Sequence, residues 1–179
     1  MKKYIVTGTD GFVGSRLKQR LEQDGHEVYN IEQHHWPMIE ETLDQHIWKC
    51  DGIFHVGAIA DTTLQDPNKM LYYNYTCSKK IFDLARKFNK KVVYSSSAAV
   101  YGTDGEPTNI YGWSKLLAEE YGVALFAKNV NFVALRYFNV YGPGESHKDK
   151  MASVAYQAWN EEHLGNFKLF PGEPKRDFV

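Results

Sequence analysis

Tyr111 and Lys115 stand four residues apart in IYGWSKLLAEEYGVALFA, a stretch whose pattern predicts a helix over 111–127. That spacing puts a phenol and an ammonium on one helix face. A tyrosine that takes a proton from a hydroxyl at neutral pH must lose about three units from its ordinary pKa near 10, roughly 4 kcal/mol. A lysine charge about 4 Å away supplies that much at an effective dielectric near 20. Ser97 closes the apolar run KVVYSSS at 91–97. A hydroxyl at the carboxyl end of such a strand can polarise the same oxygen that Tyr111 protonates or deprotonates. Each signal alone is common: YxxxK recurs by chance, and a serine after a strand is often only a helix cap.

The segment TGTDGFVG places Gly8, Gly11 and Gly14 between an apolar strand at 4–7 and a helical stretch ending near Gln23. Missing side chains at such a turn let the backbone approach a pyrophosphate at the positive end of the helix. Glu32 ends the next strand, 28–32, where a carboxylate accepts hydrogen bonds from an adenosine ribose and repels a 2′-phosphate. These features predict a bound nicotinamide dinucleotide, NAD or NADP, with Glu32 favouring NAD. Glycine loop, Ser97, Tyr111 and Lys115, met in that order, predict a redox acid/base site. His55, before Gly57 and Ala58, reads as structural. His34 and His35 are adjacent and cannot easily face one site, so no metal is expected.

The elements that must position these groups alternate in type. Residues 51–58 (DGIFHVGA) and 91–97 read as parallel strands buried on two faces. Asp66 followed by Pro67 reads as a helix cap with proline at the first helical position, opening a helix to about Phe88. Residues 131–137 (NFVALRY) form the next predicted strand. The expectation is an α/β fold, a doubly wound parallel sheet of the Rossmann type over 1–145. The polar loop YGPGESHKDK and a helix near 151–163 follow, and 146–179 reads as the beginning of a substrate lobe.

Composition bounds the partners. The chain has 179 residues, 43% hydrophobic and 24% charged, with a formal net charge of −1. Acids and bases are interleaved, and no basic block is long enough to track a phosphate backbone, so nucleic acid is not an expected partner. Cys50 and Cys77 stand alone without CxxC spacing. The start MKKYIVTG lacks an apolar signal core, and no run of about 18 apolar residues occurs. A soluble, cytoplasmic protein without membrane partners is expected.

TGxxGxxG, the serine strand and YxxxK together resemble the extended short-chain dehydrogenase/reductase superfamily. Within it, GIFHVGAIADTT, SSSAAVYG, YGWSK, RYFNVYGP, HKDKMASVA and KRDFV resemble the ADP-glycero-manno-heptose 6-epimerases, and the first four also echo other nucleotide-sugar epimerases and dehydratases. The resemblance implies Tyr111 and Lys148 as the two acid/base groups of an epimerase that oxidises a sugar carbon and reduces it again, with Ser97 and Lys115 beside Tyr111. It implies cofactor contacts at Gly8, Gly11, Phe12, Val13, Gly14, Glu32, Gly57, Ala58, Asn74, Tyr111, Lys115 and Val140. A nucleotide sugar is the implied substrate, lined by Ser97, Asn139, Phe170, Pro171, Gly172, Glu173 and Arg176. Lys150 and Gln157 stand where that family has serine and histidine. Residues 33–49 lie outside the resemblance and are shorter than its members provide. Those members continue past KRDFV through the rest of a substrate lobe, so this chain is expected to bind cofactor but turn over poorly by itself. An apolar face meant for the absent part predicts a homo-oligomer or a separately encoded partner.

Overall fold

The computed structural model describes residues 1–102, 104–127, 131–146 and 152–162. Five strands, β1 (Lys3–Thr7), β2 (Glu27–Ile31), β3 (Gly52–His55), β4 (Lys91–Ser97) and β5 (Phe132–Tyr137), form one sheet in the order β2-β1-β3-β4-β5. β1 pairs in parallel with β2 and with β3, Ile5 lying opposite both Tyr29 and Ile53, and β3 pairs in parallel with β4. Val92 N–H donates to the Asn131 carbonyl at 2.7 Å, just ahead of β5. The strand runs are short and β-branched because helices cover both faces. Ile5, Ile31, Ile53, Val92 and Tyr94 are all at 1% exposure or less, each contributing about 1.5–3 kcal/mol of burial.

Helix α1 (Phe12–Gln23) carries the chain from β1 out to β2, and the next connection returns across β1 to β3. The strand order therefore reverses at β1. The crevice outside the carboxyl ends of β1 and β3 is where such sheets take ligands. Residues 33–49, the stretch without a counterpart in the resemblance, form that return as a 3₁₀ turn (Gln33–Met38), α2 (Ile39–Asp44) and a second 3₁₀ turn (Ile47–Lys49). Trp36, Ile39, Leu43 and Ile47 from this segment are buried in the core.

Asp66 caps α3 (Pro67–Leu71), its carboxylate accepting from Lys69 N–H at 2.9 Å, with Pro67 at the first helical position. The single helix expected from there to Phe88 is instead α3, a π turn at Tyr72–Thr76, and α4 (Cys77–Lys87). Helix α5 (Ile110–Phe126) starts on Asn109, whose side chain accepts from Gly112 N–H at 2.8 Å. Phe82, Tyr94, Phe126 and Phe132 pack their rings together between α4, α5 and the sheet.

The chain divides into two compact units, Met1–Arg136 and Tyr137–Val179, parting at the end of β5, ahead of the 145/146 boundary expected from the texture of the sequence. In the second unit α6 (Val154–Glu162) is preceded by Ser153, whose hydroxyl accepts from Tyr156 N–H at 3.1 Å. No helix among the described residues is long and apolar enough to cross a membrane.

Candidate active site

The three loop glycines differ in what requires them. Gly8 has φ +72°, and a Cβ there would lie 2.6 Å from Gly57 Cα; a Cβ on Gly14 would lie 2.0 Å from the Gly8 carbonyl oxygen. Both are demanded by the chain's own packing. A Cβ on Gly11 would meet only that same carbonyl oxygen, at 3.3 Å, and its φ of −83° is open to any residue. The protein itself has little need of a glycine at 11, which is what a position kept bare for an incoming group looks like. Gly11 is also the N-cap of α1, without a side-chain cap and with no acid in the first turn, so the first turn, with Phe12 and Val13, offers N–H groups and a positive dipole end.

Glu32 closes over this loop. Its Oε1 accepts Thr9 N–H at 2.8 Å and a short bond from the Thr9 hydroxyl, its Oε2 accepts Asp10 N–H at 3.4 Å, and the side chain shares a capping box with His35. The carboxylate expected to face a ribose is thus already shaping the glycine loop and the turn that follows β2. Gln33, Ala58, Ile59, Asp61 and Lys69 border an open cleft of about 300 Å³ beside it. Gly57 and Ala58 follow β3 directly. Thr7 Oγ1 accepts the Val56 and Gly57 N–H groups at 3.1 and 2.9 Å, binding the ends of β1 and β3 together. Residues present therefore fit a dinucleotide: a bare loop on a helix N-terminus, an acid at the end of β2 and a cleft at the switch point.

Across the sheet, β4 ends in three serines and α5 is fastened to two of them. The Ser95 carbonyl accepts from Lys115 Nζ at 2.7 Å, and Ser96 Oγ donates to Glu119 Oε2 at 2.6 Å. The Ser97 hydroxyl, which accepts Ala99 N–H at 3.2 Å, lies near enough to the Tyr111 phenol to act on its pKa. Gly112 makes this approach possible, because a Cβ there would fall 2.6 Å from the Ala99 carbonyl oxygen. Three of the expected groups, Ser97, Tyr111 and Lys115, are brought together.

The electrostatics differ from the sequence expectation. Burial pushes the Tyr111 phenol above its ordinary range, and the Ser97 hydroxyl offsets only part of this. Lys115 does not lower it. Its ammonium is turned to the Ser95 carbonyl and lies 4.9 Å from the centre of the Tyr94 ring. It is 3% exposed, and burial brings its own pKa down to about 7. The argument from Coulomb attraction at about 4 Å left out desolvation, which acts on both partners.

Asn74 sits in the π turn, where its side-chain amide holds the Ile59 peptide at both ends, at 2.8 and 2.9 Å, and donates to Ser114 Oγ at 3.1 Å. It also donates to Met70 Sδ at 3.0 Å. Asn139 and Val140 follow β5 in the second unit, as does Gln157 on α6, whose side chain donates to the Ala152 carbonyl at 2.9 Å. Lys148, Lys150, Phe170, Pro171, Gly172, Glu173 and Arg176 lie outside the described residues. Sequence reasoning missed Glu119, Gly112 and Glu145. Glu119, buried, takes two bonds from Arg136 Nε at 3.0 and 3.2 Å and one from Nη2 at 2.7 Å. Its spacing of four from Lys115 was a usable signal. Glu145, fully buried in the second unit, accepts from Gly142 N–H, Ser153 N–H and the Ser153 hydroxyl. Among the described residues no group of three His, Cys, Asp or Glu side chains is arranged to hold a metal ion.

Residues 4–179 match the NAD dependent epimerase/dehydratase family. Among solved structures, the ADP-L-glycero-D-manno-heptose-6-epimerase of Helicobacter pylori is 33% identical over 99% of this chain and 69% of that one, with a TM-score of 0.83. The UDP-glucose 4-epimerase of Thermotoga maritima, solved with UDP-glucose, is 23% identical over 99% and 69%, TM-score 0.84. The UDP-glucuronic acid 4-epimerase of Bacillus cereus, in complex with NAD, is 22% identical over 79% and 58%, TM-score 0.67. These last two speak for the fold alone. A match running from the first strand to the final residue, joined to a relative one third identical across almost all of this chain, settles membership: the chain belongs to the NAD dependent epimerase/dehydratase family.

Proposed function

We propose that this chain takes part in epimerising a nucleotide-activated sugar of the ADP-glycero-manno-heptose type, with NAD as its resident cofactor. The observation that carries the reading is the gathering of Ser97, Tyr111 and buried Lys115 at the carboxyl end of the sheet that also presents the bare Gly11 loop. Bound NAD supplies a hydride acceptor that returns the same hydride, so the sugar carbon inverts without net oxidation.

In this reading Gly11 and the first turn of α1 hold the pyrophosphate, and the Glu32 carboxylate takes the adenosine ribose. Phe12, Val13, Gly57, Ala58, Asn74 and Val140 complete the cofactor's surroundings. Tyr111 takes the proton of the sugar hydroxyl as the carbonyl forms and gives it back on reduction. Ser97 donates to the same sugar oxygen, holding it against the phenol. Lys115, with a pKa brought to about 7, accepts or supplies a proton at neutral pH without leaving its site. Lys148 serves as acid/base for the second substrate orientation. Asn139, Lys150, Gln157, Phe170, Pro171, Gly172, Glu173 and Arg176 line the nucleotide sugar, with the Arg176 guanidinium on the diphosphate. The 33% identical heptose epimerase supports this substrate over a UDP-hexose.

The test is to incubate the purified protein with ADP-D-glycero-D-manno-heptose and, separately, UDP-glucose, and to resolve the epimers by chromatography. Slow interconversion of the heptose epimers, reduced about a hundredfold or more again in Tyr111→Phe, is the expected result. Conversion of UDP-glucose alone would overturn the substrate, and conversion of neither would overturn the activity.

A further inference from the structure

A hydrogen-bonded chain of buried side chains runs from the glycine loop to the helix that carries Tyr111, and its central member is His55. Thr7, His55, Ser78, Asn74 and Ser114 are each exposed by 1% or less. The direction of every bond follows from counting donors. Thr7 Oγ1 accepts two backbone N–H groups, so both lone pairs are used and only its proton remains for His55 Nδ1, 2.8 Å away. Nδ1 is then an acceptor and Nε2 carries the ring hydrogen, which goes to Ser78 Oγ at 2.7 Å. The Ser78 proton goes to the Asn74 carbonyl at 2.6 Å. The Asn74 side chain grips the Ile59 backbone and shares its two amide hydrogens among the Ile59 carbonyl, Met70 Sδ and Ser114 Oγ, the last of which donates to the Tyr111 carbonyl at 2.7 Å.

We propose that His55 is a positioning residue that couples the dinucleotide loop to the catalytic helix through one fixed neutral tautomer. One end sets Thr7, and with it the Gly57 backbone that touches Gly8. The other end sets Ser78 and the π turn, and through Asn74 and Ser114 the first turn of α5. A protonated ring would have two donors. The Thr7 hydroxyl would then lose its acceptor and have to give up one of the Val56 and Gly57 bonds to receive the new hydrogen. Burial, aided by repulsion from Lys115, lowers the His55 pKa to about 3, so that state is avoided throughout the physiological range. Packing holds the ring as well: Tyr94 stacks on it at 5.4 Å, and Trp36 and Phe82 meet it edge-on at 5.8 Å.

The two ends make separable predictions, the second of which rests on the proposed epimerase reading. Thr7→Val cuts the loop end and should weaken NAD binding about tenfold or more by leaving buried N–H groups unpaired. Ser78→Ala cuts the helix end and should lower kcat about tenfold while weakening NAD clearly less than Thr7→Val does, for the same reason applied to His55 Nε2 and Asn74. If neither NAD affinity nor turnover responds in this divided way, His55 is ordinary core and the proposal fails; if NAD affinity divides as stated but no sugar is turned over by the parent, the activity is wrong and the loop coupling stands. Nitrogen-15 spectra of the unsubstituted protein read the tautomer directly. A signal for hydrogen on Nδ1, or a titration of His55 between pH 5 and 8, would overturn the assignment, the signal being identified by its loss in His55→Phe.

Discussion

Gly11 and Gly14 look alike in a TGxxGxxG pattern and should respond oppositely to the same change. Gly14→Ala drives a methyl group to 2.0 Å from the Gly8 carbonyl oxygen, so thermal unfolding should show a loss of about 1–3 kcal/mol. Gly11→Ala should keep stability within about 1 kcal/mol, since a lower unfolded-state entropy offsets a poorer cap. It should nonetheless weaken NAD about tenfold or more in a calorimetric titration, because the pyrophosphate can no longer reach the backbone. Equal NAD affinity in the parent and Gly11→Ala would mean that the loop does not hold the pyrophosphate. Lys115 makes a prediction of a different kind. Its folded pKa of about 7 lies below the ordinary 10.5, so between those values the unfolded chain binds the extra proton and stability rises with pH. Below pH 7 both states are protonated, and the full cost of burying the charge is present. Lys115→Met removes that cost, so its advantage in Tm over the parent should be largest at pH 6 and shrink steadily toward pH 9. A constant difference would place Lys115 in water. Residue types and spacings made Ser97, Tyr111 and Lys115 legible. The sense in which burial moves the phenol and the ammonium was not, because desolvation is a property of the packed site and leaves no mark on spacing.

At the level of elements, α5 is tied to β4 at successive turns, by Lys115 on the Ser95 carbonyl and Glu119 on Ser96, with Tyr111 one turn earlier near Ser97. The Glu119 tie continues to Arg136 on β5, whose guanidinium lies 4.6 Å from the centre of the Tyr101 ring. Glu119→Ala removes the acceptor for both Ser96 and a partly buried guanidinium. Unfolding in urea should show a loss of about 3 kcal/mol, and turnover should fall further than stability alone explains, because Tyr111 sits two turns along the same helix. A change below about 0.5 kcal/mol would mean that the network is ornamental. Element positions were largely legible: 91–97 and 111–127 are found within one residue of their predicted bounds, since apolar runs and caps are local signals. The π turn was not, because Tyr72–Thr76 carries no proline or glycine to interrupt the helical pattern. Residues 33–49 gave no element reading either. Their three short helical pieces are organised by burial of Trp36, Ile39, Leu43 and Ile47 against the sheet, a tertiary cause.

For the molecule as a whole, the strand order follows from connection lengths that the sequence displays and from a pairing choice that it does not. A doubly wound sheet was expected, and the reversal at β1 puts the loop after β1 and the segment after β3 side by side. Gly8 and Gly57 mark that meeting: a side chain on Gly8 would run into the Gly57 backbone, and one on Gly57 would press on Trp36, Gly8 and Thr7 at 3.0–3.2 Å. Gly57 entered the sequence reading only through a family resemblance; nothing local distinguishes it from a turn glycine. His55 was read as structural from its neighbours alone, whereas its two ring nitrogens link Thr7 on β1 to Ser78 on α4, residues 71 positions apart in the chain.

The π turn at Tyr72–Thr76 has a consequence for helical phase. A wider turn takes up roughly one more residue than an α-turn, and so delays the rotation of everything beyond it. α3 presents Met70 to the interior, and α4 presents Cys77, Ser78, Ile81 and Phe82. Were the pitch regular throughout, one of these two faces would be turned by about 100°. The bulge is therefore a phase correction between two screws, each seated in its own surroundings. Shortening the stretch by one residue would turn α4 by about 100° relative to α3, so that Met70 could keep its buried place only by taking Ser78 away from His55.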